Sequence, residues 1–192
     1  LRDLELDSGL NGYTDGAVRE SVRHIVGVQF RNLATVGGSI YGRYGFSDVL
    51  TMFLAMDSYV ELYKGGIIPL REYAKMPYDR DILVRLIVKK EAASFDYQSV
   101  RNTQTDFPVL TCAAAKTEAG YRFAIGAPAI KAVLFELSNE DMKDKNVENI
   151  AEYAAKCVKE QIVTGSNTRG SAEYRNHLAG VLVRRAVCKL GE

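Results

Sequence analysis

Between Phe30 and Asp48 the chain reads FRNLATVGGSIYGRYGFSD, a stretch rich in the residue types that hold an anion or a nucleotide. A glycine pair, Gly37-Gly38, sits between Thr35 and Ser39. Gly42 and Gly45 follow, and a lone carboxylate, Asp48, opens an apolar run. Glycine lets backbone turn with positive φ or approach a ligand closely. Backbone N–H groups freed by such a turn hold anions, phosphate above all. The spacing matches neither G-x-G-x-x-G nor G-x-x-x-x-G-K-[ST], so it is neither a Rossmann nor a P-loop fingerprint. On its residues alone the stretch stands between an anion cradle and a plain glycine-rich connection between two helices.

The elements that must position these residues follow from periodicity. Ala17, Val18, Ser21, Val22 and Ile25 recur at helical spacing, which predicts a helix over residues 14–26, capped by Thr14 and stopped by Gly27. Ser47 caps a second helix from Asp48 to about Met56, apolar nearly all round and therefore buried. The period then changes to two. Residues 59–63 and 67–68 flank Gly65-Gly66 as a hairpin, and a helical turn follows over 70–75. Residues 82–88 and 95–101 read as strands, and 109–116 and 121–127 as a second hairpin around Thr-Glu-Ala-Gly. Residues 131–137 fit strand or helix. Two helices close the chain. One carries Val147, Ile150, Ala151, Ala154, Ala155, Val158 and Ile162. The other, capped by Ser171, carries Tyr174, Leu178, Val181, Leu182 and Arg185 on one face. Mixed but not alternating strands and helices predict an α+β fold, with a composition shift near Asp106 to Val109 as the domain boundary.

Composition narrows the partners. The 192 residues are 47% hydrophobic and 26% charged with 4 Pro, an ordinary globular balance. A net charge of +1 without a basic stripe argues against nucleic acid. No apolar run approaches the roughly 20 residues of a membrane span, and the first residues lack the pattern of a signal peptide. Cys112, Cys157 and Cys188 are widely separated, and His24 and His177 are the two histidines, so no zinc or iron–sulfur ligand set is expected. The cysteines read as small core residues in a reducing, cytoplasmic setting.

The order of segments is more specific than any one of them. VQFRNLATVGGSI, SDVLTMFLAMDSYVEL, DILVRLIV, YQSVRNTQTDFPVLTCAAA and RGSAEYRNHLAGVLVRRA follow one another along nearly the whole chain. In this order they resemble the FAD-binding medium subunit of the molybdenum hydroxylases, the xanthine dehydrogenase and carbon monoxide dehydrogenase group. The most specific elements are RN-x-A-T-x-G-G-[NS] with an Asp ten residues past the second Gly, and the late SAEYR-x-x-L-x-x-x-L-x-x-R-A helix. The resemblance implies the second subdomain of an FAD-binding PCMH-type domain over residues 1–105. Over 106–192 it implies a small α+β domain of the CO dehydrogenase flavoprotein C-terminal type.

It further implies that Thr35, Val36, Gly37, Gly38 and Ser39 line the FAD pyrophosphate and ribityl region, and that Asp48 binds a hydroxyl or amide edge of the cofactor. Ile82 and Leu83 align with apolar residues beside a cofactor ring, and Gln98 falls near a position often occupied by Lys. Ser39 stands where many relatives have Asn, and Gly42, in a position often Thr or Ala, has no side chain to contribute. Arg43-Tyr44-Gly45-Phe46 replaces a small, Pro-containing stretch, either shaping the site or elaborating the surface. Arg169, Glu173, Tyr174 and Arg175 belong to the signature helix start, where capping and ion pairing are expected.

The implied function is that of a xanthine dehydrogenase-like oxidoreductase subunit in a heteromeric complex. Electrons would pass from a molybdopterin-binding large subunit and a [2Fe–2S] small subunit through FAD to an acceptor such as NAD. No residue of this chain is expected to be an acid–base or covalent catalyst. The other reading is an assembly module of the same family that has lost flavin. Relatives carry a further N-terminal subdomain with a first glycine-rich loop, which these residues do not supply. The chain alone is therefore expected to bind FAD weakly or not at all, and to be inactive.

Overall fold

The structure, a computed structural model, describes residues 1–78 and 80–191. Short helices come first: α1 (Arg2–Leu6), α2 (Ser8–Tyr13), α3 (Ala17–Arg23), α4 (Val28–Leu33), α5 (Val36–Tyr41) and α6 (Asp48–Leu54). A three-stranded antiparallel sheet follows, in the order β2-β1-β3, from β1 (Ser58–Leu62), β2 (Gly66–Pro69) and β3 (Leu83–Val88), with α7 (Leu70–Tyr73) in the β2–β3 connection. A four-stranded antiparallel meander comes next: β4 (Ala93–Val100), β5 (Leu110–Thr117), β6 (Gly120–Gly126) and β7 (Val133–Ser138). Helices α8 (Val147–Gln161) and α9 (Ala172–Gly191) close the chain. The α+β expectation holds. Both hairpins, the turn at α7, and α6 with its Ser47 cap are where the periodicity put them. The ambiguous segment 131–137 is a strand.

Strand β5 organises the packing because it is buried on both faces through small side chains. Ala113 and Ala115, with Phe95, Tyr97 and Ala124 of the flanking strands, join the core formed with α3 and α6. Leu110, Cys112 and Ala114, with Phe123 and Ile125, join the core formed with α8 and α9. Period-two alternation thus serves two hydrophobic cores with one sheet. The expected division between residues 105 and 106 falls in the connection of β4 and β5, which pair from Ala93↔Thr117 to Val100↔Leu110.

Three sequence expectations are corrected. The helix expected over 14–26 begins only at Ala17. Asp15 and Gly16 both take positive φ (50° and 78°), which interrupts a helix, and Thr14 instead closes α2 by donating to the Leu10 carbonyl at 2.9 Å. The stretch before Asp48 is not a loop of left-handed glycines. Residues 28–33 and 36–41 are helical turns, and Gly37, Gly38, Gly42 and Gly45 all keep φ outside the positive range. Thr35 makes this possible by capping α5, its Oγ1 accepting from Gly38 N at 3.0 Å.

The third correction concerns α9, whose buried stripe is Arg175, Leu178, Ala179, Leu182, Val183, Ala186 and Val187; Tyr174 and Arg185 are exposed. Arg175 enters the core because its guanidinium donates to Val109 O (3.0 Å), Gly170 O (3.2 Å), Asn167 Oδ1 (2.6 Å) and Gly165 O. An interior charge is tolerated when every donor finds an acceptor.

Because helices approach β5 from both sides, its alanines leave no room for growth. We expect Ala114→Leu to destabilise the fold by about 1–3 kcal/mol through overpacking against α9. An unchanged urea midpoint would contradict that packing.

Candidate functional site

A cavity of about 490 Å³ opens between the α4–α5 region, the start of α6 and the β4–β5 connection. Thr35, Gly38 and Ser39 form one side and Ser47 and Asp48 the floor. Arg101, Thr105, Asp106 and Phe107 come from the β4–β5 connection, and Tyr44 and Phe46 from the segment before α6. Leu1, Ile25, Val26, Phe30 and Ala34 complete an apolar side.

Local hydrogen bonds bring these residues together. Ser47 caps α6 by accepting from Leu50 N (3.2 Å), and its hydroxyl donates to the Ser39 carbonyl (3.0 Å), tying α5 to α6. Ser39 Oγ donates to the Thr35 carbonyl at 3.1 Å. Thr35 uses Oγ1 as an acceptor and keeps its proton to donate, whereas Ser39 uses its proton and keeps its oxygen lone pairs. The two hydroxyls therefore offer complementary polarity to a ligand.

Asp48 is 5% exposed. Its Oδ1 accepts from the Tyr97 hydroxyl at 2.6 Å and from Arg101 Nη2. Burial pushes the Asp48 carboxyl above the ordinary carboxylate range, with Arg101 and Tyr97 pulling against it. Burial and the neighbouring Asp48 push the Tyr97 phenol well up, so it remains a protonated donor at neutral pH. Arg101 Nη1 donates to the Asp106 carbonyl at 2.5 Å, and the Asp106 carboxylate accepts from Arg169 Nε (3.1 Å) and Nη2 (2.9 Å). The Nε of Arg101 has no hydrogen-bond partner among the described residues, a buried donor in the cavity wall.

On the apolar side, Glu5 of α1 and Arg31 of α4 pair at 3.0 Å in the interior. Arg31 Nη1 also donates to the carbonyls of Ile25 and Val26, both at 3.2 Å. This holds Val26 at φ +48°, an unusual conformation for a β-branched residue, on the cavity edge. Burial opposes the Glu5 carboxylate, but hydrogen bonds and charge from Arg2 and Arg31 outweigh it and hold the carboxyl below its ordinary 4.5.

Of the sequence candidates, Thr35, Gly38, Ser39 and Asp48 meet at this cavity. Val36 packs into the core behind it, and Gly37 borders open space. Gly42 lies outside the lining, with its carbonyl taking the Tyr78 hydroxyl. Ile82, 65% exposed, and Leu83 belong to the region of the three-stranded sheet and do not line the cavity. Gln98 alternates with Tyr97 along β4, and its amide donates to Asp96 at 2.6 Å on the sheet face that carries Lys189 of α9.

Sequence reasoning missed Arg101, whose partner is 53 positions away. It missed Phe107, which carried no signal beyond its place in a connection. The sequence leaves the departure at residues 43–46 open between site and surface. Its two rings line the cavity, whereas Arg43 turns inward, 1% exposed and 3.9 Å from the Tyr73 ring centroid. Among the described residues no group of His, Cys, Asp and Glu is placed to hold a metal ion, and no helix is long and apolar enough to cross a membrane.

Comparison with known proteins gives consistent matches. Residues 6–90 match the FAD binding domain in molybdopterin dehydrogenase, and residues 95–190 match the CO dehydrogenase flavoprotein C-terminal domain. The uncharacterized protein YgfM of Escherichia coli K12 is 30% identical over 172 residues, 89% of this chain; the chain spans 64% of that relative's length. The fold is similar to a chain of the reconstituted CO dehydrogenase from Oligotropha carboxidovorans, with a TM-score of 0.84 and 19% identity over 99% of this chain and 72% of that one. It is also similar to a chain of quinoline 2-oxidoreductase from Pseudomonas putida 86, with a TM-score of 0.82 and 17% identity over 99% and 71%.

The Glu5–Arg31 pair yields a pH-dependent expectation. A carboxyl depressed in the folded state contributes stability above its unfolded pKa and loses it as pH falls through the folded value. Glu5→Gln should therefore cost about 3 kcal/mol near pH 7. Its penalty should shrink below about pH 4.5 as the native carboxyl protonates. Urea unfolding of both proteins across that range measures it, and a pH-independent difference would contradict the assignment.

Proposed function

We infer the function from a plain premise: the chain belongs to the CO dehydrogenase flavoprotein family, the FAD-binding medium subunits of the molybdenum hydroxylases. On that premise we propose that the cavity is one wall of the FAD site. The observation that carries the reading is the convergence of Thr35, Gly38, Ser39 and Asp48, each a sequence candidate, on one cavity that Arg101 also lines. Its volume, about 490 Å³, lies within the usual range for small-molecule sites, and its mix of apolar walls and few polar groups is typical of them.

In this reading Thr35 donates to and Ser39 accepts from the sugar–phosphate portion. Asp48, immobilised by Tyr97 and Arg101, orients a hydroxyl or amide edge. Residues 1–105 and 106–192 then act as a cofactor-binding unit and a C-terminal unit joined through the β4–β5 sheet.

Bound FAD supplies the hydride and single-electron chemistry. The chain's own residues bind, orient and exclude water. We propose that the subunit receives electrons from molybdopterin-binding and [2Fe–2S] partner subunits and delivers them to an acceptor such as NAD, in the manner of xanthine dehydrogenase and within the cytoplasm. The meeting of Thr35, Ser39 and Asp48 at one cavity favours this over an assembly module without flavin.

Titration of the chain with FAD, followed by flavin fluorescence, tests the proposal. We expect weak, saturable quenching, because one wall satisfies only part of the cofactor while the full cost of immobilisation remains. Asp48→Asn should weaken it about tenfold, a loss of about 1.4 kcal/mol. Absence of saturation up to about 1 mM FAD, or indifference to the Asp48 change, would overturn the reading.

A further inference from the structure

Three aromatic rings at the mouth of the cavity have no role in the reading above. Tyr44, Phe46 and Phe107 are 53%, 39% and 52% exposed, yet they touch one another. The Tyr44 and Phe46 rings stack with centroids 5.1 Å apart and planes within 10°. Phe107 meets Phe46 edge-on at 4.6 Å. The Arg169 guanidinium sits over the Phe107 ring, 5.2 Å from its centroid, while holding Asp106 next to it, which adds a second contact to this ring.

The backbone between the first two rings is pinned. Gly45 O accepts from Ala127 N at 2.6 Å, and a Cβ on Gly45 would stand 2.6 Å from the Ile130 carbonyl oxygen. Only glycine fits there, and its neighbours on either side carry the rings. Tyr44 in turn occupies the space beside Gly42, where a Cβ would lie 2.6 and 2.7 Å from two ring carbons. The absent side chain at 42 is the space in which the Tyr44 ring rests.

We propose that Tyr44, Phe46 and Phe107 form a preassembled aromatic wall that stacks against a planar heteroaromatic ring of the bound cofactor, and that Gly42 is the seat that sets Tyr44 in place. This rests on the FAD reading of the cavity. It assigns to the rim a specificity role that neither the glycine pair nor Asp48 supplies. The polar lining residues Asp48, Ser47 and Arg101 are buried or half-buried, whereas Tyr44, Phe46 and Phe107 of the same lining are exposed and aromatic. A ligand that fits both has a hydrogen-bonding edge and a flat apolar face. Ring systems of the flavin and adenine type share that chemistry, and aromatic platforms hold such rings through their π-faces. Both rings of FAD qualify, so the test separates them with FMN, which carries the flavin alone, and ADP, which carries adenine alone.

The experiment compares the unaltered chain with Tyr44→Leu, Phe46→Leu, Gly42→Ala and the Gly42→Ala/Tyr44→Leu pair. Thermal unfolding of the ligand-free proteins reports on the fold. FAD, FMN and ADP affinities are read from chemical-shift titration of the aromatic side chains, which follows weak binding. We expect Tyr44 and Phe46 ring signals to shift on binding, and Phe46→Leu and Tyr44→Leu to weaken FAD about tenfold with ligand-free stability retained. Gly42→Ala should weaken FAD similarly, and should add little once Tyr44 is already Leu, because both act on one ring.

A loss seen with FMN and not ADP assigns the wall to the flavin ring; the reverse assigns it to adenine. If the unaltered chain binds FAD and the variants bind it equally well, the aromatic wall is overturned and the cofactor site stands. If the unaltered chain binds none of the three, the flavin reading falls and the wall with it.

Discussion

Strand β5 is buried on both faces, and its residues are small enough for helices to approach from either side. Most of the molecule follows from that constraint. Alternate residues of β4, β5 and β6 feed two cores, one closed by α3 and α6 and the other by α8 and α9. A strand that serves two cores cannot slip in register, because a shift of one residue would exchange its two faces. The fixed sheet determines where α6 lies. The start of α6 is thereby brought beside Tyr97 and the end of β4, which places Asp48 against Arg101.

Burying Asp48 there carries an electrostatic cost that the surroundings must offset. A carboxylate removed from water requires partners, and a pair of buried charges is not in general more stable than an apolar substitute. What the pair gains is position. Arg101 reaches Asp48 with one nitrogen and the Asp106 carbonyl with another, and Asp106 is held by Arg169. Alternating charges thus run from α6 through the β4–β5 connection to the approach to α9. The run joins the α6 side of the cavity to the side formed by the β4–β5 connection and so sets how the two sides stand to each other. Glu5 and Arg31 do the same for the apolar side, where Arg31 also holds the carbonyls of Ile25 and Val26.

What was legible in the sequence was what periodicity and order encode. Alternation marked the two hairpins, the all-round apolar run marked α6, and segment order marked the family and four of the residues that meet at the cavity. What was not legible depended on competition between local rules and distant partners. The glycines at 37 and 38 invited a left-handed turn, yet the Thr35 cap made right-handed helix the better use of the same backbone. The stripe on α9 was misread because its buried positions include alanines and Arg175, and a buried arginine is apolar in effect only when loop carbonyls from elsewhere satisfy it. Arg101 could not be matched to Asp48 by spacing, since their proximity is a property of the sheet. The glycine at 45 reads as a turn residue, while the structure uses it for close approach to a strand connection that begins some eighty residues later.

The segment from Gly42 to Phe46 is where these levels meet. Against the family pattern that the sequence resembles, Gly42 supplies no side chain, just as Ser39 before this segment is shorter than Asn. Measured by what it builds, the loss at 42 is the condition for a ring at 44, and the pinned backbone at 45 sets Tyr44 and Phe46 side by side. Exposed rings clustered at a cavity differ from scattered surface apolar residues, which need no explanation. They keep apolar area in water in a fixed arrangement, and their two side-chain torsions leave little entropy to lose on contact. An aromatic mouth over a polar floor therefore separates two tasks. In the proposed reading the polar floor takes the hydrogen-bonding edge of a ligand and the aromatic mouth takes its flat face. Stacking at the rim then supplies a contact that residue 42, without a side chain, does not.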